Sequence, residues 1–185
     1  MKKLFVVIAA GFISAATLKA QDKYFTKSGR ISFISKAPLE NIDGNHKSAT
    51  CVLDTKTGNL QFAVLMKGFE FEKALMQEHF NENYVESHKY PKAEFKGQVV
   101  NNSEINYAKD GTYPVKVKGT LTMHGETREV ETTGNVIVKS GKLQAGAEFT
   151  VLLSDYRIEI PKVVKDNVSN TVKIIVDCSL EPLKG

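Results

Sequence analysis

Apolar and polar residues alternate along much of the chain, most cleanly over residues 113–123, YPVKVKGTLTM. There Tyr113, Val115, Val117, Gly119, Leu121 and Met123 fall on one face and Lys116, Lys118, Thr120 and Thr122 on the other. A period of two over such a length predicts a strand with one dry face and one wet face. The same pattern predicts strands over residues 30–36, 48–54, 60–67, 92–100, 127–138, 143–153 and 170–181, eight strands in all with 113–123. Gly58-Asn59 and Ser140-Gly141 mark two of the hairpin turns between them.

One stretch breaks the pattern. Residues 72–80 suit two turns of helix with Phe71, Leu75 and Met76 on one side and Glu78 on another, and Asn81 and Asn83 suit its end. This predicts a short helical cap with an apolar underside between the third and fourth strands. No long helical pattern alternates with the strands, so the sheet is expected to be antiparallel. Strands longer than nine residues favour a closed barrel over a sandwich. Eight strands enclose a space that side chains can fill or that can hold one small ligand.

The first twenty residues stand apart. Lys2 and Lys3 precede an apolar run from Leu4 to Ile13, which relaxes through Ser14, Ala15 and Ala16 to Ala20. This is the pattern of a secretory signal peptide, cleaved after Ala20 or after Ala16, and too short to span a membrane. Residues 1–20 are therefore expected to be a leader and 21–185 one barrel domain, periplasmic or secreted, with no transmembrane segment after cleavage. Losing Lys2, Lys3 and Lys19 leaves 22 basic residues against 21 acidic ones, so the formal charge falls from +4 to about +1. That balance argues against a nucleic-acid partner. Cys51 and Cys178 are too few for a disulfide framework and read as small buried residues, with a single bridge as the alternative.

Candidate chemistry is thin. His79, Glu82, Asn83, Glu86, His88 and His124 could be weighed as metal ligands, but neither HExxH nor paired CxxC occurs, so no metal site is expected; a metal-binding cap at His79 and His88 is an alternative. Gly-x-Ser-x-Gly is absent and neither cysteine lies in an activating context, so no catalytic residues and no enzyme activity are expected. What remains is a set of large apolar residues on inward faces together with those of the cap. Such a set suits either a filled core or a cavity for an apolar ligand.

Three stretches resemble the YceI-like family. They are residues 117–130 (VKGTLTMHGETREV), 79–97 (HFNENYVESHKYPKAEFKG) and 154–183. The first carries a G-x-L-T-x-H/R-G-x-T strand and turn through Gly119, Leu121, Thr122, His124, Gly125, Thr127 and Val130; the second carries K-Y-P-x-x-x-F through Lys89, Tyr90, Pro91 and Phe95. The cap departs from the family's Arg-Asp pattern, reading Lys73-Ala74-Leu75-Met76. The resemblance implies a lipocalin-like eight-stranded antiparallel barrel outside the cytoplasm that holds a long apolar chain: polyisoprenoid, quinone or fatty-acyl. The expected ligand-binding residues are Phe62, Val64, Met66, Leu75, Met76, Phe80, Tyr84, Phe95, Val117, Leu121, Phe149 and Val151. Leu75, Met76 and Phe80 would form a door, and Tyr84 or Tyr90 would anchor a head group. No cofactor is expected beyond a bound isoprenoid lipid, and a homodimer is left open. The alternative is a filled barrel acting as a structural or stress module through a protein partner.

Overall fold

In a computed structural model that describes residues 22–183, eight antiparallel strands close into one barrel in sequence order. The strands are β1 (Lys23–Lys36), β2 (Asn41–Asp54), β3 (Asn59–Leu65), β4 (Lys92–Val99), β5 (Gly111–Met123), β6 (Glu126–Lys139), β7 (Lys142–Leu152) and β8 (Thr171–Pro182). The one α-helix among the described residues, α1 (Ala74–His79), lies between β3 and β4 and runs into a wider turn at Phe80–Tyr84. The leader expected over residues 1–20 lies outside the described residues. None of the described helices is long and apolar enough to cross a membrane.

The eight expected strands are all present, but β1 and β2 begin seven residues earlier than the alternation suggests. Both extensions have physical reasons. The register between β1 and β2 shifts twice: between Thr26 and Gly29 the extra residue lies in β1 and moves its inward face by one, and between Gly29 and Ile31 the extra residue lies in β2, between His46 and Ala49, and moves that strand's inward face instead. In β2 the first half carries Gly44 and His46 at buried positions, which do not read as apolar. A Cβ at Gly44 would lie 2.3 Å from Cε1 of Phe33 on the paired strand, so a larger residue there would displace the Phe33 ring.

Two packed layers close off the barrel's lower end and support its upper one. At the lower end Leu53, Leu143, Leu180, Cys51 and Cys178 are fully buried together with Leu60, Val99, Val136 and Val138. The β4–β5 connection adds Ile105 and Tyr107 as a plug; the Tyr107 hydroxyl donates to Asn102 Oδ1 (2.9 Å) and Asn102 Nδ2 donates to the Thr55 carbonyl (2.8 Å). Cys51 and Cys178 are free thiols, and the adjoining Cys178 thiol and burial together hold Cys51 well above the usual thiol range. The upper layer comprises Ala49, Val64, Met66, Phe69, Val85, Ala93, Val151, Tyr156, Ile158 and Val172 beneath the cap.

Between these layers the inward residues are only half buried: Ile31, Phe33, Phe62, Leu121, Val130, Ala145, Ala147, Phe149, Ile174 and Val176. They are exposed to the barrel's own interior. Small residues concentrate where β6 and β7 meet, and there Gly134 faces Ala147 in the ladder. A Cβ on Gly134 would lie 2.2 Å from the Gly146 carbonyl oxygen, whereas one on Gly146 would meet nothing closer than 3.7 Å. Gly134→Ala should therefore destabilise the fold by about 1–3 kcal/mol while Gly146→Ala is tolerated. Chemical denaturation of both variants checks this; equal stability of the two would contradict the packing described.

Candidate ligand cavity and its cap

The hollow is a continuous cavity of about 420 Å³ whose wall is overwhelmingly apolar. That volume is within the usual range for small-molecule sites. Its upper half is lined by Phe33, Val64, Met66, Phe69, Phe71, Met76, Phe80, Leu121, Val151 and Val172, and its lower half by Phe62, Phe95, Val117, Val130, Ala145 and Val176. The few polar groups on its wall include Glu40, His79, Tyr84 and Asn167 near the cap, and Ser35, Thr132 and Asn135 along the strands.

Four phenylalanines attach the cap to the barrel. Phe33 of β1 stacks on Phe80 at 5.5 Å between ring centroids and packs edge-on against Phe71 at 5.8 Å and tilted against Phe69 at 5.5 Å. Phe80 also contacts Phe69 (5.5 Å) and Phe71 (5.0 Å). Each such pair adds about 0.5–1.5 kcal/mol beyond simple burial. The cluster thus binds the cap to the strand that runs down the cavity wall.

The other side of the mouth is held by polar contacts. Glu40, in the β1–β2 turn, pairs with Lys73 at 3.6 Å and accepts from Asn167 Nδ2 at 3.3 Å. Leu39 N–H donates to the Asp166 carbonyl (2.9 Å), so the same turn holds residues 161–168 against the rim. That segment supplies Val164, Asn167 and Val168 to the cavity.

Below the cap a second latch forms around His124. His124 and Gly125 both have positive φ, 52° and 77°, as a tight β5–β6 hairpin turn requires. The turn aims the imidazole inward, where Nδ1 lies 2.9 Å from the Tyr156 carbonyl and Nε2 lies 2.8 Å from Glu86 Oε2. Nδ1 therefore donates to the carbonyl. Tyr90 packs on the same ring at 4.5 Å. The hydrogen bond with His124, with smaller contributions from the charges of Lys89, His124 and His88, holds the Glu86 carboxyl below its usual range against the opposing effect of burial.

Eleven of the twelve residues expected to touch ligand line this cavity: Phe62, Val64, Met66, Met76, Phe80, Tyr84, Phe95, Val117, Leu121, Phe149 and Val151. Leu75 does not: it is 60% exposed and points away. The reason is helical geometry, since adjacent residues differ by about 100° around the axis, whereas Met76 and Phe80, four apart, share a face. Tyr90 is likewise not on the cavity wall but packs on His124. His79 does reach the cavity, rather than facing only water. Among the described residues no three His, Cys, Asp or Glu side chains converge as metal ligands. Sequence reasoning missed Ile158, Val164 and Val168, which belong to a loop with no periodicity to mark an inward side.

A YceI-like domain model matches residues 23–180, nearly all of the described chain. The chain belongs to the YceI-like family. No curated protein matches it. Solved structures with a similar fold include a polyisoprenoid binding domain from Saccharophagus degradans implicated in plant cell wall breakdown, with a TM-score of 0.75 at 17% identity, covering 88% of this chain and 99% of that one. Burkholderia cenocepacia BcnA aligns with a TM-score of 0.67 at 16% identity over 82% of this chain and 95% of its own. The Campylobacter jejuni YceI protein aligns at 0.58 and 18% identity over 82% and 91%. The YceI-like barrel and its cap between the third and fourth strands are thus common ground between pattern and structure.

One buried group gives the fold a pH dependence. His46 is 2% exposed; its Nδ1 accepts from Ser48 N–H at 3.2 Å, Nε2 is left without a close partner, and the ring packs on Phe69. Burial outweighs the opposing pull of the Leu65 carbonyl and the Glu70 carboxylate and lowers the His46 pKa from 6.5. The unfolded chain then binds a proton that the folded chain resists, so this stability is present above about pH 6.5 and is lost as the pH falls through the lower folded value. Paired carboxylates such as Glu70, Glu86 and Glu94, whose pKa values are also lowered, lose their share only in a more acid window, below 4.5. Melting temperatures should fall between pH 7.5 and pH 5 in the wild type and fall less in His46→Phe; parallel curves would show that His46 is not the source.

Proposed function

We propose that this YceI-like protein is a non-catalytic lipid binder that holds one long apolar chain, polyisoprenoid, quinone or fatty-acyl, in its barrel. The observation that carries this reading is the hollow between two packed layers, which a purely structural barrel of this size would fill with side chains. Support also comes from the family, one of whose structural relatives is described as a polyisoprenoid binding domain. The leader-like sequence at the chain's start supports action outside the cytoplasm.

Binding on this reading is partition with selection by shape. Burying about 400 Å² of chain at about 25 cal/mol per Å² contributes on the order of 10 kcal/mol. Association and ordering costs of about 4–15 kcal/mol offset much of that. Met76, Phe80 and Phe71 cover the chain, while Tyr84, His79, Glu40 and Asn167 face its polar end near the cap. Burial holds the Tyr84 phenol above its usual pKa, so it stays a neutral donor at physiological pH.

Filling the hollow tests this directly. Val176→Trp and Ala145→Phe each place bulk in the cavity's lower half, away from the mouth. Each should weaken binding of a fluorescent polyene fatty acid about tenfold or more while leaving the melting temperature near that of the wild type. Unchanged affinity in both folded variants would contradict the reading.

A further inference from the structure

The barrel wall has a gap. β6 and β7 pair from Lys139↔Lys142 only as far as Gly134↔Ala147. Above that point, residues 126–133 of β6 pair with β5 alone and residues 148–152 of β7 pair with β8 alone. Among the described residues no ladder joins these two stretches. The Thr132 hydroxyl bridges the lower corner instead, donating to the Glu148 carbonyl at 2.9 Å. The upper corner is closed by Glu126, whose carboxylate pairs with Arg157 beyond β7 at 3.0 Å and with Arg128 at 3.0 Å.

A separate opening of about 680 Å³ occupies this gap. Its border takes Val130, Thr132 and Phe149 from inward positions and Glu129, Glu131, Thr133, Glu148 and Thr150 from outward ones of the two strands, with Lys116 of β5 alongside on the outer face. Val130, Thr132 and Phe149 also line the main cavity. The opening and the cavity therefore lie on either side of the same three residues, at the place where the ladder is missing.

The closed floor gives that opening a use. Leu53, Leu143 and Leu180 are 0–1% exposed at the lower end, with Ile105 packed beneath them, so a chain entering beside the cap cannot leave through the floor. We propose that the β6–β7 window is a second, lateral mouth of the cavity, through which a linear isoprenoid chain too long for the hollow leaves the barrel past Val130 and Phe149. This rests on the lipid-binding reading above. It makes the length of chain accepted a property of the window rather than of the cavity volume.

The test compares farnesol, short enough to stay inside, with solanesol, which is not, on wild type and Thr150→Trp, a substitution on the window's outer border and not on the cavity wall. Both alcohols should bind the wild type, and Thr150→Trp should keep farnesol affinity while losing about tenfold or more for solanesol. Equal retention of both, or a wild type that binds farnesol and rejects solanesol, would overturn the window while leaving the lipid-binding reading intact. A wild type that binds neither would overturn both. A second measurement does not depend on the bulky variant. A bimane fluorophore attached through Glu131→Cys, with Cys51 and Cys178 too buried to react, should shift to the blue with solanesol and not with farnesol. No shift with bound solanesol would also overturn the proposal.

Discussion

The circumference of a closed barrel is fixed by the number and stagger of its strands, so the volume inside is set before any side chain is chosen. Everything else in this protein depends on how that volume is divided. Leucines, valines and a two-residue plug fill the lower end. Across the middle, Ala145, Gly146, Ala147, Thr132 and Val176 are too small to meet. The space they leave is apolar and would hold water poorly, since a buried water needs polar partners that this wall scarcely offers.

A hollow barrel is structurally costly unless its rim is held by other means. Here the rim is held three ways: by the Phe33–Phe69–Phe71–Phe80 cluster, by the Glu40 contacts to Lys73 and Asn167, and by the His124 bonds to Glu86 and the Tyr156 carbonyl. The three differ in kind. The aromatic cluster is dry and shares residues with the cavity wall, so it would feel an occupant directly. The Glu40 contacts are partly exposed, longer than ideal and weak, as such pairs are.

Much of this was legible in the sequence because alternation reports which way a side chain points. The 113–123 run, the two hairpins and the inward identities of Phe62, Val117, Leu121 and Phe149 all follow from period two. The motif through His124 and Gly125 marked a residue pair whose positive φ values and latch role no spacing argument could supply. Where a glycine or a histidine holds an inward position, as Gly44 and His46 do in β2, alternation is silent and the strand was read short. Leu75 departs from expectation because adjacent residues of a helix do not share a face. The β6–β7 window was invisible for a different reason: strand patterning fixes a residue's face but not whether its backbone pairs on both sides.

The central claim is that the unfilled middle of the barrel is an occupied site in the protein's own setting. Native mass spectrometry of the protein purified from its own host, followed by denaturation and identification of what is released, tests this most directly. The account predicts a stoichiometric added mass that unfolding frees as a long-chain apolar lipid. A protein that flies with the mass of its bare chain, and that takes up no such lipid when offered one, would contradict it.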